Sequence, residues 1–303
     1  MDNVEIVALV SSNESKLVAT GKKVPDAELY SSYIDMFQDP KGLQAVFICV
    51  PPDSHENIEF LAAEKGIHLY VEKPIALSLQ RAQEVEHAIN KAGIITSVGY
   101  HERYSETIEN IRKYISTRQT GLVTGKWLGD IPGAPWWRRK ERSGGQLVEQ
   151  STHIFDLLRY FFGEAESVYS RAVTGIINDV PNYNLEDASS TIITFKNGVS
   201  ASVLTGCYFD QGLIQNGSGI QIFCKDSVIE YDWMKEVRFI SNGVVETASA
   251  PDDSHYKAAS TFIKAIQTKN VNLIKSTYSD SIKTLALTLA ANDSMISKLP
   301  VKL

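Results

Sequence analysis

The chain from Val4 to Thr117 alternates apolar segments of strand length with amphipathic segments of helix length. Ala45–Val50 is apolar throughout, as is typical of a parallel strand buried on both faces, and Pro51 and Pro52 end it. Further cycles of helix and strand follow up to Tyr100. Because parallel neighbours are joined by long crossover connections, usually helices, this pattern predicts a doubly wound α/β domain.

The pattern changes after Thr117, where strand-length segments follow one another with turn signals between them. These segments are Glu166–Ile177, Ala188–Phe195, Val199–Phe209, Ile220–Cys224, Val228–Trp233 and Val237–Ile240. They predict an α+β domain with an open, mostly antiparallel sheet. Its helices are expected at Gly145–Phe162, Tyr256–Thr268 and Ser279–Ser297. We place the boundary near residue 120, which gives domains of residues 1–120 and 121–303.

The charge balance limits the partners that such a chain attracts. It has 30 Lys and Arg against 36 Asp and Glu, a net charge of -6. An excess of carboxylates is repelled by nucleic acid and by anionic membranes, which argues against either as the main partner. The charge balance is compatible with a small neutral or anionic metabolite bound in a locally basic pocket. No apolar run approaches the roughly 20 residues that cross a bilayer, and the first residues lack the basic flank of a secretory signal. We therefore expect a soluble, cytoplasmic protein.

Three cysteines, Cys49, Cys207 and Cys224, lie in apolar strand-like segments without CxxC spacing. This arrangement predicts reduced thiols in the core, and neither a disulfide framework nor a zinc site.

Polar residues follow three of the predicted parallel strands directly, in Pro51–His55, Glu72–Pro74 and Gly99–Arg103. Ligands of open α/β sheets bind beyond the carboxyl ends of the strands, so these segments are expected around one crevice. Lys73, at its rim, is a candidate proton donor or acceptor; alternatively it belongs to an ordinary charged pair before a proline. His55 and Arg103 could contact a ligand, or could be surface residues.

Glu149 and His153 are four residues apart in the predicted helix Gly145–Phe162. This spacing places both on one helical face, where the carboxylate could orient the imidazole and make His153 a general acid or base. The alternatives are a surface ion pair and a buried structural histidine. As metal ligands the two lack a third partner at a recognisable spacing, so metal-assisted hydrolysis is a weaker interpretation and no metal site is predicted.

Aromatic and guanidinium groups are adjacent in the loop that contains Trp136, Trp137, Arg138 and Arg139. Such a loop could stack on a sugar ring and pair with an anionic group, and Tyr183 lies in another loop that could face the same crevice. The alternative is a loop anchored by buried tryptophans with solvated arginines.

Five segments occur in a characteristic order: CVPPDSHENIEFLAAEKGIHLYVEKPIAL, SVGYHERY, SGGQLVEQSTHIFDLLRYFFG, LEDASSTIITFKNGV and SDSIKTLALTLAANDSMISKLPVKL. In this order they resemble the Gfo/Idh/MocA family, named for glucose-fructose oxidoreductase, inositol dehydrogenase and a rhizopine-catabolism protein. The resemblance implies an N-terminal Rossmann domain that binds NAD or NADP. It also implies a C-terminal domain whose exposed sheet forms dimers or tetramers, and hydride transfer at a carbinol carbon of a sugar, inositol or related polyol.

The resemblance also implies roles for individual residues. Lys73 matches the lysine that hydrogen-bonds the reacting hydroxyl, and His153 matches the histidine that takes its proton. Glu149 stands where many members have aspartate, with an arm one methylene longer. The implied cofactor-binding positions are Ser11, Ser12, Pro51, Pro52, His55, Glu72, Lys73 and Arg103. Serine at the end of the first strand does not repel the 2'-phosphate of NADP, so both NAD and NADP are permitted.

The chain departs from the family pattern at its start. The family begins with a strand, a GxGxxG turn and a helix, which would precede Val4, and no GxGxxG occurs in the sequence. That strand would lie between the strands Val4–Val10 and Ala45–Val50, so we expect both to present unpaired edges. Two hypotheses remain: a sequence that starts late, or a degenerate homologue in which a partner segment or a rearranged sheet replaces the strand. The second suggests a non-catalytic, sugar-binding or assembly protein as the alternative to an oxidoreductase.

Overall fold

The structure, a computed structural model, describes residues 1, 3–39, 42–210, 212–214, 216–250 and 253–303. Its first part contains two parallel sheets, the pair β1-β2 and the triplet β3-β4-β5. The strands are β1 (Ala8–Val10), β2 (Glu28–Tyr30), β3 (Ala45–Ile48), β4 (His68–Val71) and β5 (Thr96–Val98). The helices are α1 (Glu14–Gly21), α2 (Tyr33–Gln38), α3 (Ile58–Glu64), α4 (Leu79–Ala92) and α5 (Glu106–Ile115). The predicted alternation of parallel strands with helices is confirmed.

Local sequence explains where these helices begin and end. Asn13 caps α1 by accepting a hydrogen bond from the backbone of Lys16, and Ser78 caps α4 in the same way. Gly93 ends α4 at φ 65°, in the left-handed region that glycine adopts without strain.

The two parallel sheets are not joined to each other in the part of the chain that the structure describes. There, β1 pairs only with β2 and β3 pairs only with β4, so the expectation of unpaired edges is confirmed. The prediction that Ala45–Val50 is buried on both faces is wrong: Phe47 in β3 is 44% exposed, and Val50, beyond the end of the strand, is 38% exposed. Cys49, which follows β3 directly, is also exposed and is not a core thiol.

The first predicted strand is shorter than expected. It was expected from Val4 to Val10, but the pairing with β2 begins only at Ala8. Val4 and Ile6 are 41% and 49% exposed, so their apolar character reflects no burial within the described chain.

A sheet of nine strands forms the second part of the molecule. It consists of β6 (Thr120–Leu128), β7 (Ala165–Val173), β8 (Ala188–Phe195), β9 (Ser200–Gly206), β10 (Ser218–Cys224), β11 (Ser227–Asp232), β12 (Glu236–Ser241), β13 (Val244–Ser249) and β14 (Val301–Lys302). The strand order is β13-β12-β11-β10-β6-β9-β8-β7-β14, and all neighbours are antiparallel except the parallel pair β6-β9. The open, mostly antiparallel sheet is therefore confirmed, while β6, β13 and β14 were not predicted.

The helix predicted at Gly145–Phe162 is divided in the structure. It consists of α7 (Gln146–Glu149) and α8 (Thr152–Phe162), preceded by the short α6 (Lys140–Ser143). At the break, the backbone N–H of Ser151 donates to the Gln146 carbonyl five residues earlier, at 2.9 Å. Glu149 and His153 thus lie on different helices, and the prediction that they share one helical face is wrong.

The last helix connects the two parts. After α9 (Ser254–Thr268), α10 (Tyr278–Ser297) contributes Tyr278, Ile282 and Leu285 to the core beneath the parallel strands. Its later residues Leu287 and Ala290 pack into the core between the nine-stranded sheet and α8. One helix therefore belongs to both hydrophobic cores.

In the described part of the chain, helices pack on one face of the large sheet, where Val123, Ala201 and Ile222 share a core with residues of α8. On the other face, large apolar side chains are exposed on four adjacent strands: Leu122 is 63% exposed, Ile192 50%, Leu204 48% and Phe223 37%. Among the helices that the structure describes, none is both long enough and apolar enough to cross a membrane.

Candidate active site

Lys73, Glu149 and His153 are brought together where the parallel strands meet the helices of the second part. Lys73 follows β4, Glu149 ends α7 and His153 lies in the first turn of α8. The Lys73 ammonium donates to Glu149 Oε1 at 2.6 Å and to the Glu149 backbone carbonyl at 2.7 Å. That carbonyl is among those that a helix leaves without an internal partner at its C-terminus. The break between α7 and α8 thus supplies two acceptors that hold Lys73 in place.

His153 is enclosed by aromatic rings. The Trp127 ring stacks on it at 5.6 Å between centroids, and Trp233 and His101 lie at 5.5 and 5.3 Å. Burial and the nearby charge of Lys73 hold the pKa of His153 well below its usual range. The imidazole is therefore neutral at neutral pH and is ready to accept a proton.

Glu149 has one occupied and one available carboxylate oxygen. Burial raises the pKa of Glu149, and Lys73 acts against this rise by favouring the ionised form. Oε1 accepts from Lys73, whereas Oε2 is buried and has no hydrogen-bond partner among the described residues. A buried acceptor left unsatisfied is costly, so this oxygen is suited to a donor that a ligand brings, such as a hydroxyl group.

Trp137 lies at the same site. Its ring centroid is 5.9 Å from Lys73 Nζ, and its indole N–H is buried without a partner within the described chain. Trp136 stacks on Trp137 at 6.0 Å. The site therefore combines an unused donor on Trp137 with an unused acceptor on Glu149, and a hydroxyl can satisfy both kinds of group.

Arg138 and Tyr183, also predicted to contact substrate, have internal partners instead. Arg138 Nε donates to the Pro132 carbonyl at 2.7 Å, within its own loop. The Tyr183 hydroxyl donates to the Glu186 carbonyl at 3.1 Å and lies 3.1 Å from Cys207 Sγ. These contacts favour structural roles in the loops over the predicted contact with substrate.

Several of the predicted cofactor positions lie at the carboxyl ends of parallel strands. They are Ser11 and Ser12 after β1, Pro51 and Pro52 after β3, and Glu72 and Lys73 after β4. Gly99, after β5, packs beneath the Glu72 carboxylate so closely that a Cβ there would lie 2.4 Å from Oε2. The hydroxyl and carboxylate groups fit the ribose and nicotinamide end of a dinucleotide. No glycine-rich turn for the pyrophosphate occurs in the sequence.

His55 and Arg103 are buried, and both have polar partners within the chain. His55 Nδ1 lies 2.7 Å from Glu59 Oε1. The guanidinium of Arg103 donates to Asp156 at 2.6 and 2.7 Å and to Asp280 at 2.6 Å. With these groups satisfied internally, both residues fit a structural role better than the predicted contact with a cofactor.

Sequence reasoning missed the residues that surround His153. Trp127 lies on β6, which was not predicted as a strand, and Trp233 lies in the turn between β11 and β12. His101 could have been identified from the sequence as a site residue, because it belongs to Gly99–Arg103, a segment expected at the crevice. Its ring stacks on that of His255 at 3.5 Å between centroids, and this contact could not be predicted because the two residues are far apart in the chain.

Comparison with known proteins identifies this architecture. A family model described as "Oxidoreductase family, NAD-binding Rossmann fold" matches residues 1–100, and one described as "GFO/IDH/MocA C-terminal domain" matches residues 119–230. A scyllo-inositol 2-dehydrogenase (NAD(+)) of Bacillus subtilis is 29% identical over 172 residues, which are 56% of this chain and 50% of that protein. The uncharacterized oxidoreductase YrbE of the same organism is 29% identical over 57% of this chain and 51% of its own length. The matched region thus spans about half the length of these two curated relatives.

A myo-inositol 2-dehydrogenase of Thermotoga maritima is 21% identical over 100% of this chain and 92% of that protein. Among solved structures, a levoglucosan dehydrogenase in complex with NADH and levoglucosan has a TM-score of 0.86 at 20% identity and covers 98% of this chain and 90% of that one. An oxidoreductase from Agrobacterium radiobacter, in complex with NAD+, L-tartaric acid and magnesium, also has a TM-score of 0.86, at 17% identity. These structural similarities show the same fold, and the two family models together match about two thirds of the sequence. The chain therefore belongs to the Gfo/Idh/MocA oxidoreductase family.

Proposed function

We propose that this protein is an NAD(P)-dependent oxidoreductase that acts on a carbinol carbon of a sugar, inositol or related polyol. The observation that carries the proposal is Lys73, held by two oxygens of Glu149 beside the neutral, buried His153. In this proposal residues 1–120 bind the cofactor, and residues 121–303 bind substrate and mediate oligomerisation.

Each of the three residues has a distinct task in this chemistry. A bound nicotinamide supplies the hydride acceptor. As the carbinol loses hydride its hydroxyl becomes acidic, and His153 takes the proton. The fixed Lys73 ammonium donates a hydrogen bond to the oxygen on which negative charge develops. Glu149 positions Lys73 through Oε1, and its Oε2 accepts a hydrogen bond from a second hydroxyl of the substrate. The aromatic rings around His153 exclude water from the reacting atoms.

The unused hydrogen-bonding groups favour a substrate with several hydroxyls. Glu149 Oε2 and the Trp137 indole N–H require a donor and an acceptor respectively, and adjacent hydroxyls provide both. We assign Trp137 to the substrate site with Trp136 stacked behind it, and leave Arg138 and Tyr183 as supports of its walls. The relatives and neighbours named above include dehydrogenases of scyllo-inositol, myo-inositol and levoglucosan, which have such hydroxyls.

Ser11, Ser12, Pro51, Pro52 and Glu72 are the proposed cofactor contacts. Ser11 and Ser12, after β1, can hydrogen-bond the ribose hydroxyls of NAD and do not repel the 2'-phosphate of NADP. The proposed cofactor is therefore NAD or NADP. Cys49, Cys207 and Cys224 are free thiols, which favours a reducing compartment such as the cytoplasm.

We further propose that two copies of the chain associate through the open face of the large sheet. Leu122, Ile192, Leu204 and Phe223 are exposed on four adjacent strands of this face, with polar side chains such as Thr124, Ser200 and Ser202 between them. This mixed surface suits an interface between two copies, and a two-fold contact would pair the face with itself.

The activity is tested by assaying the full chain with NAD+ or NADP+ against inositols, aldoses and glucosides. We expect oxidation of at least one substrate, followed by the ultraviolet absorbance of the reduced nicotinamide. Lys73→Met and His153→Gln should each lower kcat by about 100-fold or more. His87→Asn, which changes an exposed histidine on α4, serves as the matched control and should leave kcat unchanged. Equal rates in all four proteins would refute the proposed chemistry.

A further inference from the structure

His101 is held between the proposed base and a buried carboxylate. Its ring faces His153 at 5.3 Å between centroids and stacks on His255 at 3.5 Å. Its Nδ1 lies 2.8 Å from the hydroxyl of Ser254, and that hydroxyl donates to Glu102 Oε1 at 2.9 Å. Hydrogen bonds thus join His101 to Glu102 through Ser254, and the ring of His153, on α8, is the neighbour of His101 on its other side.

The hydrogen bonds define the tautomer of His101. A serine hydroxyl has a single proton, and that of Ser254 is donated to the Glu102 carboxylate. The contact between Ser254 and His101 therefore requires Nδ1 of His101 to be the donor. A neutral His101 consequently has its basic nitrogen at Nε2, where a further proton must enter.

Glu102 supplies the charge that would balance a protonated His101. Glu102 is 3% exposed and also accepts a hydrogen bond from the Tyr231 hydroxyl. Within the described chain no lysine or arginine forms an ion pair with it, and His101 Nδ1 lies 3.4 Å from its Oε1. A buried carboxylate without a fixed cation favours a positive charge beside it, so a protonated His101 would complete a buried pair.

His153 has no such partner. The charges that act on it are Lys73, His101 and His255, all of which oppose its protonation together with its burial. A proton taken from substrate is therefore unstable on His153.

We propose that His101 is the residue to which His153 passes the substrate proton, and that Glu102, acting through Ser254, holds His101 in the receptive tautomer and balances its charge. This inference rests on the proposed function. An N–H bond of protonated His153 breaks, an N–H bond forms at Nε2 of His101, and no electrons are exchanged. The separation of the rings allows transfer directly or through one water molecule. His153 is thereby neutral again for the next turnover.

Groups from several elements face His101 and affect its charge. Glu102 is on its own segment, His153 on α8, Ser254 and His255 on α9, and Tyr231 and Trp233 on β11 and the following turn. Because His101 and His255 are stacked, a second positive charge on His255 would oppose protonation of His101.

The experiment has a spectroscopic and a kinetic arm. In the full chain labelled with 15N-histidine, long-range 1H–15N correlation spectra report the tautomer and the protonated fraction of each imidazole. We expect His101 as the Nδ1–H tautomer, and a lower protonated fraction at a given pH in Glu102→Gln than in wild type. His87→Asn supplies a resonance assignment and a control. An Nε2–H tautomer, or a protonated fraction unaffected by Glu102→Gln, would overturn the inference.

In the kinetic arm, His101→Asn retains an N–H that can donate to Ser254 but cannot carry the proton. We expect it to lower kcat by about tenfold with little change in KM, and to alter the pH profile of kcat. Free imidazole should partly restore kcat in His101→Ala, which a purely structural role would not permit. Absence of rescue, or unchanged kcat in His101→Asn, would overturn the inference. If wild type oxidises no substrate, the proposed function fails, while the spectra still decide whether Glu102 holds a proton on His101.

Discussion

At the scale of single residues, the site depends on how two buried charges are satisfied. Lys73 is neutralised by Glu149, and the burial of both groups makes their pairing necessary. The sequence predicted all three site residues, Lys73, Glu149 and His153, through their motifs. It could not predict that Glu149 contacts Lys73 and not His153, because that contact depends on a helix break formed by tertiary structure.

Replacing Glu149 tests this account through stability. The pKa of Glu149 is higher in the folded protein than in the unfolded chain. Its contribution to stability is therefore complete below the pKa that Glu149 has in the unfolded chain, and is lost as pH rises through the pKa that it has in the folded protein. The amide introduced by Glu149→Gln does not titrate, so this variant should become more stable relative to wild type as pH rises through that window. Urea unfolding of both proteins across a pH series measures the difference. A difference that is constant with pH, or that favours wild type as pH rises, would contradict the assignment.

At the scale of secondary-structure elements, β6 and α8 pack closely enough to position His153. Gly125 on β6 faces Ile154 on α8, and a Cβ at residue 125 would lie 2.6 Å from Ile154 Cγ2. Ala188–Phe195 was predicted with its observed bounds because its run of β-branched residues, Thr191–Thr194, and the turn at Asn197 and Gly198 are local signals. β6 was missed because its glycines and polar residues, which suit this close packing, weaken the strand pattern.

Gly125→Ala is expected to lower the free energy of unfolding by about 1–3 kcal/mol, since the added methyl group overpacks a core contact. It should also lower kcat, because α8 carries His153. In the double variant with Ile154→Ala, the loss of stability should be smaller than the sum of the single losses. Gly121→Ala on the same strand is the control, because nothing lies within 4 Å of a Cβ there. Additive losses in the double variant would show that the two residues do not interact.

The ionic network around α10 links elements of both parts of the molecule. Asp280 accepts from Arg103 at 2.6 Å and from Arg159 at 3.2 Å. Burial raises the pKa of Asp280, but the two guanidinium groups outweigh burial and hold it below the usual value. The contribution of Asp280 to stability is thus present above the pKa that this residue has in the unfolded chain, and is lost as pH falls through its lower pKa in the folded protein.

Asp280→Asn should therefore destabilise the protein at pH 7, by about 2 kcal/mol after allowance for the partial exposure of the carboxylate. The difference between variant and wild type should shrink as the pH falls below the pKa of an aspartate in the unfolded chain, about 3.9, towards the lower pKa that Asp280 has in the folded protein. Unfolding by urea at neutral and acid pH measures both effects. An equal difference at the two pH values would contradict the proposed role of the ion pairs.

At the scale of the whole molecule, the large sheet has one face covered by helices and one face open. The family resemblance implied an exposed sheet face, but the residues on that face could not be ranked without the strand register. Leu122 and Phe223 are directly opposite each other on β6 and β10, which places them in one patch.

Leu122→Lys combined with Leu204→Lys should convert a dimer or tetramer into smaller species, because the charges would face their own copies across a two-fold interface. Val271→Lys, at an exposed site outside the sheet, is the control. Sedimentation velocity of the three proteins measures their masses. A monomeric wild type, or an unchanged mass in the double variant, would show that this face is not the interface.

The proposed hydride transfer is tested most directly by following deuterium from substrate to cofactor. Substrates deuterated at their carbinol carbons are incubated with NAD+ or NADP+, and the mass of the reduced cofactor is measured. We predict that deuterium is transferred to the nicotinamide by wild type and by His87→Asn, and that Lys73→Met lowers the rate by about 100-fold or more. Transfer by Lys73→Met at the wild-type rate, or no transfer by wild type with any of the polyols, would contradict the central claim.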